Sequence, residues 1–277
     1  MMKKRLSVFA LSLILLAGIF WFYPSTHQPK DYGVFIGMEK KELLELTHSY
    51  QTLVLDATYL EKSDINNIQS KAPQIFAYLN VGALETSNSF YPQFQSLRLE
   101  PYDNWPDEYW IDVTDLSWQE FLIKNQAKSL KEKGVTGLFL DNFDVYDHDQ
   151  RPEVYASLLK LLRDLNAMHL PLIINGGSTF VSQLVSENPS LARQLIFAIN
   201  QENVFLAYDF EVNQAIQQSS DALDFYLDYL ETVSQEDIGI FLIEYGANAE
   251  QADKILKQCQ KWTYKVYLAP NILLDRE

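Results

Sequence analysis

The sequence predicts an α/β fold, a single (β/α)8 barrel, on three observations. The chain has 277 residues, and the roughly 250 that follow an N-terminal apolar segment are the usual size of such a barrel. Short apolar runs alternate with longer amphipathic stretches, which is typical of a parallel sheet covered by helices. The apolar runs number eight, which favours closure of the sheet. We therefore expect one folded domain over residues 32–277.

The predicted strands are short runs of aliphatic and aromatic residues bounded by polar turns. They are Tyr32–Ile36, Thr52–Leu55, Ile75–Val81, Leu138–Asp141, Leu172–Asn175, Leu195–Asn200, Gly239–Glu244 and Lys265–Ala269. Helical spacing is clearest over 117–133, 152–169 and 247–262. Residues 82–116, rich in proline and aromatic side chains, are predicted to be a long insertion after the third strand. Long loops at that face of a barrel are usually functional.

The N-terminus is predicted to be an uncleaved membrane anchor. Three cations precede an apolar run of 18 residues, Leu6–Tyr23, which is near the shortest helix that spans a bilayer. Cations before the run stay in the cytoplasm, so the rest of the chain would lie outside. Bulky aromatic residues stand where a cleaved signal peptide has small ones. We expect an anchor over 1–23, a linker over 24–31 and a domain held outside the cell membrane; the alternative is secretion after signal cleavage.

The charge of the chain restricts its partners. The formal net charge is −15, and it becomes −18 for the exported part once Lys3, Lys4 and Arg5 are set aside. Nucleic acid is a poor partner for such a surface, whereas a cationic substrate is favoured. Acidity that merely keeps an exported protein soluble is the plainer explanation of the same charge. We expect a monomer.

The sequence gives no sign of a metal or a cofactor. The four histidines do not cluster at the predicted strand ends, so a histidine-based zinc site is not expected. Dinucleotide and phosphate-loop motifs are absent, as is a nucleophilic-serine motif. The single cysteine, Cys259, has no partner for a disulfide within the chain and is expected to pack inside a helix.

Polar side chains follow the predicted strands, where a barrel binds its ligands. Asp141 directly follows the apolar run 138–140, so we expect a half-buried carboxylate with a shifted pKa. Asp144, Asp147 and Asp149 follow it; Asp147 and Asp149 are expected to be solvated loop residues before the helix at Pro152, and this is the alternative for Asp144. The other polar residues at strand ends are Asp56, Asn80, Glu85, Asn175, Gln201, Glu202, Asn203, Glu244 and Tyr245, with Asp112 in the insertion.

A pair of carboxyl groups is what a glycoside hydrolase needs, one as acid and one as nucleophile or base. The strand-end argument selects Asp141 but leaves Glu85, Glu202 and Glu244 open as its partner. Three other functions remain as alternatives: a non-catalytic carbohydrate-binding barrel of the cell surface, a structural surface protein, and a metal-dependent polysaccharide deacetylase. The last would need a compact Asp/His/His set, which is not evident.

Several motifs resemble one family in order along the chain. They are YLNVGALE (78–85), WIDVTD (110–115), GLFLDNFDVYD (137–147), IINGG (173–177), NQENVF (200–205), FLIEYG (241–246) and VYLAPNILLD (266–275). The chain resembles the endo-α-1,4-polygalactosaminidases, family 114 of the glycoside hydrolases, which are (β/α)8 barrels. The resemblance implies that Asp141 and Glu202 are the catalytic pair. It also implies an endo-acting enzyme on a galactosamine-rich, partly deacetylated and therefore cationic polysaccharide.

The two carboxyl groups are expected to differ in function. Hydrogen bonds from Asn142 or Asn175 would hold Asp141 ionised as nucleophile or base. Glu202 would be the general acid, with a raised pKa, and Asp144 would bind a substrate amine or raise that pKa. The residues expected to bind substrate are Asp56, Tyr78, Asn80, Glu85, Asp112, Asp144, Asn175 and Tyr245.

Overall fold

A computed structural model describes residues 30–277. The predicted anchor, Leu6–Tyr23, lies outside the described residues, as does the linker up to residue 29. Within 30–277, no helix is long and apolar enough to cross a membrane. The first strand begins at Lys30, so the barrel starts two residues before the predicted boundary.

The eight predicted strands form one parallel sheet, which confirms the (β/α)8-like barrel. They are β1 Lys30–Phe35, β2 Tyr50–Leu55, β3 Gln74–Asn80, β4 Gly137–Asp141, β5 Leu172–Asn175, β6 Ala198–Glu202, β7 Gly239–Tyr245 and β8 Lys265–Ala269. Their order in the sheet follows the chain. Because β1 and β8 also lie side by side, the sheet is nearly closed.

The sixth strand differs most from its prediction. It runs over 198–202 rather than 195–200, because Leu195 is the last residue of a helix that begins at Pro189. Its later end places Glu202 within the sheet, paired with Ile243 of β7. Glu202 is therefore held by a strand rather than by the loop that the sequence suggested.

Helices cover the outside of the sheet. They are Lys40–Leu44, Lys62–Ile68, Leu116–Phe121, Lys128–Lys133, Val145–His148, Pro152–Asn166, Ser178–Glu187, Pro189–Leu195, Ser220–Ser234 and Ala249–Trp262, with a π-helical segment, Leu122–Ala127, between the third and fourth. Cys259 is buried inside the last of them, as expected. The apolar faces of these helices and of the strands form one core.

The predicted insertion after β3, residues 82–116, forms strands and a short helix of its own. Strands Ala83–Glu85, Arg98–Pro101 and Glu108–Ile111 form a small antiparallel sheet with the last of them in the centre. A short helix, Tyr91–Phe94, and a 3₁₀ turn, Gln95–Leu97, connect its first two strands. Phe94 packs edge-on against Trp118, whose indole N–H donates to the Val81 carbonyl at 2.9 Å. These contacts fix the insertion beside the carboxyl ends of the strands.

Four neighbouring strands end in the same way. The residue after the last residue of β4, β5, β6 and β7 has a left-handed backbone, with φ between 56° and 66°. These residues are Asn142, Gly176, Asn203 and Gly246. Asparagine and glycine are the residue types that adopt this conformation at least cost. The chain therefore turns away at once, and the last side chain of each strand stays at the mouth of the barrel.

Candidate active site

The carboxyl ends of the strands surround a cavity of about 630 Å³. Among the described residues that line it, seven are aspartate or glutamate and none is lysine, arginine or histidine. Such a cavity favours positive charge. Eight of the residues expected at the site line it: Asp56, Tyr78, Glu85, Asp141, Asp144, Asn175, Glu202 and Tyr245.

Asn175, the last residue of β5, joins the two carboxylates expected to be catalytic. Its Nδ2 donates to Asp141 Oδ1 at 2.8 Å and to Glu202 Oε1 at 2.9 Å. Asp141 and Glu202 end β4 and β6, the strands on either side of β5. The strand order thus places one amide between two carboxylates, and both of its hydrogens are used.

Each carboxylate has a tyrosine on its other oxygen. The Tyr78 hydroxyl donates to Asp141 Oδ2 at 2.9 Å, and the Tyr245 hydroxyl donates to Glu202 Oε2 at 2.7 Å. With Asn175, these side chains form a continuous line across the five neighbouring strands β3 to β7. All four carboxylate oxygens have a donor, so the orientation of both groups is fixed.

Burial raises the pKa of both carboxyl groups. At Asp141 the hydrogen bonds from Asn175 and Tyr78 act in the opposite direction but do not offset burial. Asn175 is thus a donor, as expected, whereas the Asn142 side chain donates to Asn80 and Glu108, and the net direction of the Asp141 pKa is upward. At Glu202 the charge of Asp141 adds to the effect of burial. Because the negative charge of Asp141 favours the protonated form of Glu202, the pair can hold one proton and supply one acid and one base.

Asp144 lies in the wall of the same cavity. Its Oδ1 accepts the backbone N–H of Gly177 at 2.9 Å, and a Cβ at Gly176 would lie 2.1 Å from its Oδ2. Burial, with smaller effects from the charges of Asp147 and Asp141, raises its pKa to about 7. The charge that raises the Glu202 pKa is that of Asp141, and Asp144 lines the cavity near both carboxylates.

Asn80 is at the site but behind the cavity surface. Its Nδ2 donates to Glu108 Oε1 at 2.7 Å, and Asn142 donates to the same oxygen at 3.2 Å. Glu108 itself lines the cavity. Burial, together with the charges of Asp141 and Glu85, raises the pKa of Glu108 to about 7. Asn80 thus orients a carboxylate that the sequence had not selected.

The structure does not bring Asp112 into the cavity. Its Oδ1 accepts the backbone N–H of Thr114 at 3.0 Å and the Thr114 hydroxyl at 2.6 Å. These bonds shape the turn that leads from the insertion into the helix at Leu116. Local side-chain to backbone bonds of this kind are typical of aspartate in turns.

Glu244, one of the partners that the strand-end argument left open, is also outside the cavity. It is fully buried, and its carboxylate accepts the backbone N–H groups of Val204, Phe205 and Leu206 at 2.9, 2.9 and 3.0 Å. Burial still raises its pKa to about 7. Glu244 holds the segment after Glu202, and of these two glutamates it is Glu202 that lines the cavity.

Sequence reasoning missed two groups of residues. Glu108, Tyr102 and Trp105 reach the cavity from the insertion, whose run of acidic and aromatic residues was the available signal. Tyr32 and Asn200 lie within β1 and β6 and are buried. A polar amide inside an apolar strand was the signal for Asn200, because such a group must find partners in the interior.

The chain is similar to one known protein family and to several solved structures. The model of glycoside-hydrolase family GH114 matches residues 34–270. Comparison with curated proteins gives no match. The glycoside hydrolase domain of PelA from Pseudomonas aeruginosa has a similar structure, with a TM-score of 0.73 and 20% identity over 90% of this chain and 97% of that one. Aspergillus fumigatus Ega3, solved in complex with galactosamine, gives 0.67 and 14% over 92% and 97%.

A more distant likeness shows the same architecture. The α-galactosidase TtGalA from Thermus thermophilus has a TM-score of 0.54 and 12% identity, over 90% of this chain and 62% of that one. Identities this low show a shared fold and no more. The family match covers most of the chain, and it agrees with the paired carboxylates at the mouth of the barrel. The chain is a glycoside hydrolase and belongs to family GH114.

Proposed function

We propose that this protein is an endo-acting glycosidase that cleaves a galactosamine-rich, partly deacetylated polysaccharide with Asp141 and Glu202 as its catalytic pair. The observation that carries the proposal is the Asn175 amide bridging these carboxylates at 2.8 and 2.9 Å. The acidic cavity around them suits an amino sugar, which is cationic when its amine is free. The similarity to a structure holding galactosamine supports the same class of substrate.

The proposed reaction has two steps. Asp141 attacks the anomeric carbon while Glu202 gives its proton to the departing glycosidic oxygen. Glu202, now ionised, takes a proton from water, and this water displaces Asp141 from the sugar. The charge of Asp141 supports this assignment, because it raises the pKa of Glu202 and so helps that carboxyl group to keep its proton.

The spacing of the carboxylates favours retention of configuration. Asp141 Oδ1 and Glu202 Oε1 each lie within one hydrogen bond of the same nitrogen. The two oxygens are thus no further apart than the two bonds together, about 5.7 Å, which is short of the about 6.5–9.5 Å that leaves room for water in inverting glycosidases. Proton NMR of the first product formed would show the α anomer for retention at an α linkage.

We further propose that Leu6–Tyr23 anchors the enzyme in the cell membrane with its N-terminus in the cytoplasm and its barrel outside. The three cations before this run and the aromatic residues at its end support an anchor. The protein should then fractionate with membranes and keep its N-terminus. A mature N-terminus beyond Tyr23, found by mass spectrometry, would show cleavage and secretion instead.

A comparison of defined oligosaccharides tests the proposed substrate. The full-length protein would be incubated with α-1,4-linked galactosamine oligomers, their fully N-acetylated counterparts and glucosamine oligomers, and the product lengths measured. We expect internal cleavage that is fastest on oligomers with free amines and absent in the Asp141→Asn variant. Binding of these oligomers without turnover would instead indicate a non-catalytic carbohydrate-binding barrel.

A further inference from the structure

A line of buried hydrogen bonds leads from the inside of the barrel to the proposed catalytic pair. The Tyr32 hydroxyl of β1 donates to Asn200 Oδ1 of β6 at 3.0 Å. Asn200 Nδ2 then donates to Asn175 Oδ1 at 2.6 Å. Tyr32 is 2% exposed, Asn200 0% and Asn175 8%, so water does not compete for these bonds.

This line has a direction, because an amide accepts with its oxygen and donates with its nitrogen. In the observed direction Asn175 turns its NH₂ group toward Asp141 and Glu202. If both asparagines reversed, Asn175 would turn its oxygen toward the two carboxyl groups. That arrangement is favourable only when each carboxyl group carries a proton, and it leaves no ionised nucleophile.

Tyr32 opposes the reversed direction. A tyrosine hydroxyl has one hydrogen, and in the observed direction Asn200 Oδ1 accepts it. In the reversed direction Asn200 would present its NH₂ group, and the hydroxyl hydrogen would lose its acceptor. Among the described residues, the bond to Asn200 is the only one that the Tyr32 hydroxyl makes. Leaving a buried donor without a partner is costly, typically about 1–3 kcal/mol.

We propose that Tyr32 and Asn200 are positioning residues, which hold the Asn175 amide in the one direction that donates to both carboxylates. Neither of them touches the cavity, and they act through Asn175. This inference rests on the proposed function of Asp141 and Glu202 as the catalytic pair.

The Tyr32→Phe variant tests the proposal with little change in packing, because the ring still contacts Phe241 edge-on at a centroid distance of 4.8 Å. Without the hydroxyl, the reversed direction no longer leaves a buried donor without a partner, so it becomes less costly. We expect the pKa values of Asp141 and Glu202 to rise by roughly half a pH unit. Both limbs of the kcat pH profile should move up with them, and kcat should fall about three- to tenfold with KM unchanged.

The carboxyl pKa values would be measured by ¹³C NMR on labelled protein, with the Asp141→Asn and Glu202→Gln variants assigning the two signals. The other titratable groups around the pair do not change in Tyr32→Phe. Those near Asp141 are Tyr78, Glu85, Tyr102, Glu108 and Asp144, and those near Glu202 are Tyr226, Glu244 and Tyr245. A shift of the two signals therefore reports on the line of hydrogen bonds.

A second variant, Asn200→Asp, should act more strongly in the same sense. Its carboxylate would still accept the Tyr32 hydroxyl, but it would also attract the Asn175 NH₂ group away from the pair. We expect kcat to fall by about 10²-fold or more, the usual effect of removing a donor from a charged reacting group. If this variant does not fold, the Tyr32→Phe variant by itself tests the proposal.

Tyr50→Phe is the matched control. Tyr50 is a buried tyrosine at the start of β2, and its hydroxyl donates to Glu277 at 3.0 Å at the opposite end of the barrel. Its removal should leave both titrations and the pH profile unchanged. The proposal is overturned if Tyr32→Phe leaves them unchanged too, or if kcat falls without any shift. The NMR titration needs no substrate, so it still tests the proposal if the wild type cleaves no amino-sugar polymer.

Discussion

The Asn80 side chain donates to the Glu108 carboxylate at 2.7 Å and so joins the end of β3 to the insertion. Asn80 is also the register partner of Asp141 on β4. One residue in the sheet thus fixes the position of an acidic side chain beside the proposed nucleophile. Within the described part of the chain both hydrogen bonds to Glu108 end on Oε1, which leaves Oε2 for a ligand in the cavity.

Glu108→Gln should weaken binding of substrates with free amines. The variant keeps the oxygen that accepts from Asn80 and removes the negative charge. We expect KM on galactosamine oligomers to rise roughly tenfold, because losing one charge-assisted hydrogen bond weakens binding by about that factor. The value of kcat should change little. Fully N-acetylated oligomers should be affected less. Glu100→Gln, in the same insertion but 69% exposed beside His148, is the control, and equal effects of the two variants would contradict this function of Glu108.

Folding stability should fall as the pH rises through neutrality. The pKa values of Glu108, Asp144 and Glu244 are each raised to about 7, above their unfolded values of about 4. The folded state then binds more protons than the unfolded state between pH 4 and 7, so stability is greatest below that range and is lost across it. Urea unfolding at pH 5, 6, 7 and 8 should give decreasing free energies, and a free energy that increases would contradict the raised values.

Stability should also fall in strong acid. The pKa values of Asp275 and Glu277 are lowered to about 2, by Arg276 and Asn271 at the first and by Thr47, His48 and Tyr50 at the second. Their contribution is complete above the unfolded values of about 4 and is lost as the pH falls toward 2. Glu108, Asp144 and Glu244 lower the stability above this range, and Asp275 and Glu277 lower it below. The free energy of unfolding should therefore be greatest at mildly acidic pH, and thermal unfolding across pH 2–8 would locate the maximum.

Gly176→Ala should damage the site, because its Cβ would lie 2.1 Å from Asp144 Oδ2 in a backbone with φ of +66°. Gly134→Ala is a matched comparison, since φ there is +97° and nothing lies within 4 Å. The Gly134 change should cost about 1–2 kcal/mol, the cost of the left-handed backbone alone. The Gly176 change should cost about 1–3 kcal/mol more and reduce kcat. If both variants lost the same free energy of unfolding, Asp144 would be moving away from the added Cβ without cost, which would contradict this prediction.

Glu244→Gln should loosen the segment that follows Glu202. Oε1 accepts from Val204 and Phe205 and Oε2 from Leu206, so an amide nitrogen at either position opposes a backbone N–H. A loss of about 1–3 kcal/mol of stability is expected, together with a lower kcat. Glu120→Gln, which breaks an exposed pair with Lys124, should cost no more than about 0.5 kcal/mol. Similar losses from both variants would contradict the importance of these three bonds.

The alternation of apolar runs and helices was enough to predict all eight strands. It is a strong signal because each strand of a parallel sheet is buried on both faces. The bounds of β6 were wrong because the apolar residues of the preceding helix run directly into those of the strand. The fold of the insertion could not be predicted, since its short strands pair only with each other and carry no regular alternation.

The candidate site was predicted best where a residue ends a strand. This explains why Asp141, Asn175 and Tyr245 were selected from position alone. Position could not separate Glu202 from Glu244, because both lie near the ends of neighbouring strands. The difference depends on which way each side chain points. Glu202 pairs in register with Ile243, and Glu244 is the next residue along β7, so its side chain points to the opposite face of the sheet. Glu108 comes from outside the barrel strands, so the strand-end argument could not reach it.

The division of functions between the two carboxylates predicts how the leaving group changes the reaction. Glu202→Gln should lose most activity on galactosamine oligomers and much less on an aryl glycoside, whose leaving group departs without a proton. Asp141→Asn should be inactive on both. If the two variants had the same ratio of activities on the two substrates, the assignment of acid and nucleophile would be wrong.

The most direct test of the central claim is the kcat of Asp141→Asn and Glu202→Gln on unactivated galactosamine oligomers, with the melting temperature of each variant measured in parallel. The account predicts that each substitution lowers kcat by at least roughly 10²–10⁴-fold, the usual contribution of acid–base groups, while the protein stays folded. A Glu202→Gln variant with near wild-type kcat would contradict it.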